Sequence, residues 1–163
     1  MTTIIDVEGN EQSFEGCMAC EINKGNLKLF GDVLYENEFF NVMQDIELPI
    51  DGFIVIATKR HVEKLTELSD AERTSLMEIA NKCLTVLRAN AVCDEYTLIL
   101  EEKKNYHFHL WLMPRADWMI KKFGKVLKNI KPIQEYAKEH LRTPENLANI
   151  AKTCEILKKE LNK

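Results

Sequence analysis

The run Asn105–Arg115, NYHFHLWLMPR, constrains the fold of this chain more than any other stretch. Alternate residues of a β-strand share a face. Tyr106, Phe108, Leu110 and Leu112 make one face that is wholly apolar or aromatic and suited to a core. His107, His109, Trp111 and Met113 make the other. Period two argues for a strand with one buried side, because a helical period would scatter both sets. The second face, expected to be exposed, carries two imidazoles and an indole. It is either an ordinary solvated face or a reactive one.

The rest of the chain offers partners for such a strand. VLYENEFFNVMQD reads as two short strands around the turn Glu36-Asn37-Glu38, and GFIVIAT as a buried third strand after the loop IELPID. YTLILE is a fourth strand, and the polar loop EKKN leads from it into the histidine strand. Between them lies the clearest helix. Ser69 and Glu72 form a capping box, and Leu76, Ile79, Ala80, Cys83, Leu84 and Leu87 recur on one helical face. Beyond Pro114, Lys121, Lys122, Lys125, Lys128 and Lys131 are spaced as a basic helix stripe. A last helix starts with Thr143 as N-cap and Pro144 in its first turn. Residues 1–16 read as a loose leader, 17–115 as the domain proper and 116–163 as a basic helical extension. The expected fold is α+β: an antiparallel five-stranded sheet, a long helix packed on it and a C-terminal helical extension.

Composition narrows the function. At 163 residues, 45% apolar and 29% charged, the chain has material for one core. No apolar run approaches the roughly 20 residues that span a bilayer, and the N-terminus lacks a basic start before an apolar stretch. A cytoplasmic protein without a membrane partner is expected. A net charge of −4 argues against nucleic acid as a partner. From Arg115 onward twelve basic residues face six acidic ones, so the extension could fold over the acidic body or meet an anionic ligand. Five cysteines argue against a disulfide framework. Cys83 and Cys154 fall on apolar helix faces, Cys93 lies in a turn, and Cys17 and Cys20 form a C-x-x-C pair.

HFHLWLMPR resembles the His-φ-His-φ-His-φ-φ signature of the histidine-triad (HIT) superfamily, often followed by Pro-Arg, with Trp111 in place of the third histidine. DIELPIDGFIVIATKRHVEKLTELSDAE is similar to the family's run from an acidic residue through Gly-His and a strand to Lys-Arg-His and the long helix. CMACEINKGN resembles the Cys-x-x-Cys opening of many bacterial members. The likeness covers roughly residues 17–115 and implies a HIT-like fold. It also implies nucleotidyl transfer. His109, the middle histidine, would attack the α-phosphorus of a nucleotide-type small molecule, such as a dinucleoside polyphosphate or phosphoramidate, forming a nucleotidyl-histidine. It implies that Asp45 holds the ribose hydroxyls and that Met18, Ile22, Met43 and Ile46 surround the base. Read from the residues alone, Asp45 is equally a turn aspartate before Pro49, and the four apolar residues are equally core.

Zinc-bearing relatives imply a structural zinc on Cys17, Cys20, His61 and His107, a closed tetrahedral set. His61 could instead cap the Lys59-Arg60-His61 turn. The family also implies a homodimer.

Three departures from the pattern bear on activity. Trp111 offers one N–H donor, has no acceptor, and cannot relay a proton. Phe53 stands where the family has the histidine of Gly-His. The loop before the catalytic strand is EEKKN rather than a Gly-rich segment, so Lys104 and Asn105 are candidates to meet the phosphate, and a solvated hairpin loop is the competing reading. A HIT-type hydrolase or transferase therefore competes with a zinc-stabilised nucleotide-binding protein of little or no turnover, and with a metal-stapled interaction domain.

Overall fold

The computed structural model describes all residues, Met1–Lys163. Five strands form an antiparallel sheet: β3 (Tyr35–Glu36), β4 (Phe40–Gln44), β5 (Ile54–Thr58), β6 (Tyr96–Leu100) and β7 (His109–Pro114). Their order is β3-β4-β5-β7-β6, which sets the histidine strand between β5 and β6. A two-stranded hairpin of β1 (Thr2–Ile5) and β2 (Glu11–Phe14) stands apart from it. The helices are α1 (Met18–Asn23), α2 (Asp70–Ala89), α3 (Asp117–Phe123), α4 (Ile130–His140) and α5 (Pro144–Leu161).

One face of the sheet carries the main core. Val42, Ile54, Ile56, Leu110 and Leu112 pack under Leu76, Ile79, Cys83 and Leu87 of α2 and under Ile150, Cys154 and Leu157 of α5. Both helices start as their sequences dictate. In α2 the Ser69 Oγ accepts the Glu72 N–H at 3.2 Å, and Glu72 returns the bond to the Ser69 N–H at 2.7 Å. In α5 the Thr143 Oγ1 accepts from the Asn146 N–H. Glu72 also takes a fork of two 2.7 Å bonds from Arg60, which holds its carboxyl down at about 2 and anchors the turn carrying His61.

The opposite face is covered in two patches. At one end, Ile4 and Phe14 of the hairpin close over Met43, Ile46 and Ala57, with Met18 and Ile22 of α1 against them. At the other, Met119, Val126, Ile133 and Ala137 close over Ile50, Phe53 and Met113. His109 and Trp111 lie in the gap between the two covers.

Four expectations change. Residues 1–16 are not a loose leader: they fold as the hairpin, and Asp6 ties its turn by accepting from the Glu8 and Asn10 backbone at 2.9 Å each. The lysine stripe is not one helix. Gly124 adopts φ +72, which ends α3, and a 3-10 turn separates it from α4. The second face of the histidine strand is not exposed: His107 is 5% accessible, and Met113 is fully buried. Tyr106, in turn, precedes the regular ladder and is half-buried beside His109 rather than in the core.

Candidate active site and metal centre

The metal cluster begins with α1. Cys17 is its N-cap residue and Cys20 lies in its first turn, so both thiols point the same way. Asn23 fastens this short helix to the end of β5, donating to the carbonyls of Lys59 at 2.8 Å and Thr58 at 3.3 Å. The same Thr58 carbonyl accepts from His107 Nε2 at 2.7 Å. That bond assigns the ring tautomer: Nε2 carries the proton, and Nδ1 keeps a free lone pair. His107 Nδ1 lies 3.4 Å from Cys17 Sγ and 3.6 Å from Cys20 Sγ, and His61 Nδ1 lies 3.4 Å from Cys20 Sγ. All four donor atoms fall within 4.8 Å of one another. Around a tetrahedral zinc, sulfur and nitrogen ligands are about 3.6 Å apart, so this donor set fits such an ion. Burial and the adjoining Cys17 push the Cys20 thiol up to about 11, and burial holds His107 below its ordinary value, in the neutral form that ligates metals.

Two residues on, at the start of β7, His109 donates from Nδ1 to the His107 carbonyl at 2.8 Å. Its Nε2 therefore presents a lone pair away from the strand. Burial lowers the His109 pKa, while that carbonyl and Glu101 act the other way. The ring sits between Tyr106 and Trp111, with centroids at 5.2 and 5.5 Å. Trp111 also meets Phe53 edge-on at 5.4 Å. The two residues that depart from the histidine pattern thus touch one another, and a double-mutant cycle of Phe53→Leu and Trp111→Leu should show a coupling of about 0.5–1.5 kcal/mol in chemical denaturation.

Tyr106, His109 and Trp111 stand as a partition between two cavities, lining both. The first, about 350 Å³, is bounded by α1, β4 and β5: Met18, Ile22, Met43, Ile46 and Val55 give it an apolar wall, and Asp45 a polar end. Asp45 is 9% accessible. Its Oδ1 accepts the backbone N–H groups of Glu47 and Leu48, while Oδ2 has no protein donor. Burial pushes this carboxyl up to about 6. Asn105 also lines the first cavity, held at φ +62 with its N–H on the Glu63 carboxylate. The second cavity, about 400 Å³, is bounded by Ile99, Leu100, Glu101, Ile130 and Gln134.

Every candidate residue but one comes to this centre. The exception is Lys104, which is exposed and lines neither cavity. Sequence reasoning missed Tyr106, Glu101 and Gln134. The register signals Glu101: Leu100 pairs with Leu110, so the next step sets Glu101 opposite His109 on the same face. Nothing local signals Gln134, which arrives on α4.

A family model described as the HIT domain matches residues 28–118. An uncharacterised HIT-like protein of Methanocaldococcus jannaschii is 28% identical over 129 residues, covering 76% of this chain and 97% of that one. Among solved structures, a HIT family protein from Bacillus anthracis is 25% identical with a TM-score of 0.58, covering 88% of this chain and 97% of that one. A Zn-bound histidine triad family protein from Mycobacterium smegmatis, 21% identical, has a TM-score of 0.55 over 83% of this chain and 96% of that one, a likeness of fold. The sheet order, the strand of alternating histidines and the extent of the match agree: this chain belongs to the HIT domain family.

Proposed function

We propose that this protein is a nucleotidyl hydrolase or transferase acting through His109 on a nucleoside phosphate derivative. The observation that carries the reading is the 2.8 Å bond from His109 Nδ1 to the His107 carbonyl, which leaves Nε2 as a lone-pair donor at the wall of an apolar cavity. The nucleoside occupies the first cavity, its base between Met18, Ile22, Met43 and Ile46 and its ribose hydroxyls on Asp45 Oδ2. Nε2 attacks the α-phosphorus, and the bond to the leaving group breaks. The Nδ1–H···O=C bond persists and shares the charge of the phosphorylated ring. Water or another acceptor then takes the nucleotidyl group and returns His109 to its neutral form. In this reading Asn105 and the Trp111 N–H donate to the phosphate, and both residues line the first cavity. A structural zinc on Cys17, Cys20, His61 and His107 fits the donor set, and the zinc borne by the Mycobacterium smegmatis protein supports it.

Mass spectrometry tests the reading. On mixing with a nucleoside phosphoramidate or a dinucleoside polyphosphate, a nucleotidyl group is expected on the peptide carrying His109. Tight nucleotide binding with neither adduct nor turnover would establish the second reading, a zinc-stabilised binding protein. Trp111, which cannot relay a proton, is the feature that favours it.

Asp45 adds a pH dependence. Its carboxylate, the form that best accepts two hydroxyls, is depleted as pH falls through about 6. Glu47 and Lys138 act on this group in opposite senses, and Tyr106 and His109 share its cavity. A neutral nucleoside, which brings no titrating phosphate, should therefore bind several-fold more weakly at pH 5 than at pH 7.5 by calorimetry. In Asp45→Asn the affinity should be low and flat across that range.

A further inference from the structure

Arg142 stands at the corner between α4 and α5, with the Leu141 C-cap before it and the Thr143 N-cap after it. Its guanidinium forms no salt bridge and spends its donors on main-chain carbonyls. Nε donates to Asp6 at 3.1 Å, and one terminal nitrogen donates to Ile5 at 3.3 Å and to Glu47 at 3.2 Å. The other donates to Lys138, an end carbonyl of α4. One side chain thus joins the N-terminal hairpin, the loop after β4 and the C-terminal extension. Two of these pieces build the first cavity: Thr2 and Phe14 bring the hairpin to it, and Asp45, Ile46 and Glu47 bring the loop. That loop is held at every carbonyl from Ile46 to Ile50. Gln44 and the loop's own backbone serve Leu48 and Ile50, but Ile46, Glu47 and Pro49 depend on distant donors. Val7 donates to Ile46 at 2.9 Å, Arg142 to Glu47, and Asn146 of α5 to Pro49 at 2.8 Å. Lys138 adds a 2.7 Å ion pair with the Glu47 carboxylate. Arg142, Asn146 and Lys138 all lie outside the matched domain, residues 28–118.

We infer that Arg142 is a positioning residue for nucleoside binding, a clamp from the C-terminal extension that locks the Asp45 loop and the hairpin together around the first cavity. The inference rests on the reading of that cavity as the nucleoside site. Arg142 does not line the cavity, so it acts through the backbone it holds. The Glu47 and Leu48 N–H groups orient Asp45 Oδ1, and the Glu47 carbonyl is the point where Arg142 grips the same turn. With the clamp released, only a fraction of molecules hold Asp45 in the binding geometry, and apparent affinity falls by that fraction. The planar fork of a guanidinium can serve several carbonyls at once, which a lysine ammonium on a flexible stem does poorly. His109 lies on β7 and takes its orienting bond from the His107 carbonyl, so the clamp bears on binding and leaves the nucleophile in place.

The test uses the whole chain, with Arg142→Gln, the milder Arg142→Lys and a control, Asn162→Ala, which cuts a tie between the far end of α5 and the Leu34 carbonyl. Adenosine, guanosine, cytidine and uridine serve as probes in calorimetry. The one that binds the parent best should bind Arg142→Gln about tenfold more weakly, with Arg142→Lys in between. KM for its phosphoramidate should rise by a similar factor, while the single-turnover rate at saturation stays within about twofold. Hydrogen exchange at the Glu47 and Leu48 amides should quicken by about tenfold in Arg142→Gln, with the core of α2 unchanged. Asn162→Ala should lower Tm yet keep the parent affinity and the parent exchange at both amides. Equal losses of affinity in Arg142→Gln and Asn162→Ala would mean that Arg142 serves stability alone and would overturn the inference. So would unchanged exchange at Glu47 and Leu48, or parent affinity, in Arg142→Gln and Arg142→Lys. A parent protein that binds none of the four nucleosides, with exchange at the two amides still quickened in Arg142→Gln, would overturn the nucleoside reading of the cavity and leave the clamp standing.

Discussion

His109→Ala should cost more activity than any other single change in this chain: kcat is expected to fall by about 10⁴-fold or more, with nucleoside binding nearly intact. The expectation follows from where the ring sits. Its Nε2 is the one imidazole lone pair at the partition that is not already committed, since His107 uses Nε2 on Thr58 and directs Nδ1 at the thiols. Removal therefore leaves no neighbouring nucleophile to take over. The apolar wall and Asp45 belong to other segments, α1, β4 with the residues just after it, and β5, so the nucleoside should still bind within a few-fold of its parent affinity. Folding should also survive, because His109 is only half-buried and outside the main core. Single-turnover kinetics with calorimetry separates the two quantities. If His109→Ala turned over as fast as the parent, the nucleophile would have to be sought elsewhere.

The local elements were readable from sequence wherever burial imposes a period. The capping box of α2, the Thr143 start of α5 and the apolar face of β7 all appear as expected, because one buried side demands alternation or a helical stripe. Where burial is thin, the pattern fades. The hairpin has two four-residue strands, each burying a single apolar side chain, Ile4 and Phe14, so no alternation stands out. The lysines from 121 to 131 keep a helical spacing, but Gly124 at φ +72 breaks the backbone that would make the spacing meaningful.

The site was legible in a different way. His107, His109 and the cysteine pair stand out by residue type, whereas Met18, Ile22, Met43 and Ile46 look like any core positions. Only the family likeness separated them, and the structure does place all four on one cavity. What covers the second face of β7 is a long-range matter. The hairpin and α4 lie far from the strand in sequence, and no local pattern in NYHFHLWLMPR announces either. Hence the face expected to meet solvent proved half-buried, and Gln134 went unseen.

Loss of the metal set should have the largest effect on the fold itself. In Cys17→Ser/Cys20→Ser, zinc by elemental analysis is expected to drop from one per chain to none, and Tm to fall by about 10 °C. That shift corresponds to about 4 kcal/mol, the stabilisation expected from an ion held about a thousandfold above its Kd. The argument lies in what the four ligands join. Cys17 caps and Cys20 belongs to the six-residue α1, too short to be stable alone, whereas His61 follows β5 and His107 immediately precedes β7. Without the ion, Asn23 is the main polar tether of α1, through two carbonyls at the end of β5. Met18 and Ile22, which wall the first cavity, ride on that helix, so nucleoside affinity should weaken along with stability. A purely local role would leave the cavity unaffected. Both effects should be matched by a chelator acting on the parent protein, and zinc should reverse them in the parent but not in the double variant. A metal-free parent with the same Tm and the same nucleoside affinity would mean that the cluster does not brace the fold. His107, whose Nδ1 faces the thiols, lends its backbone carbonyl to His109, so the proposed metal site and the proposed nucleophile share one residue. Turnover in the double variant should therefore fall further than weakened nucleoside binding alone explains.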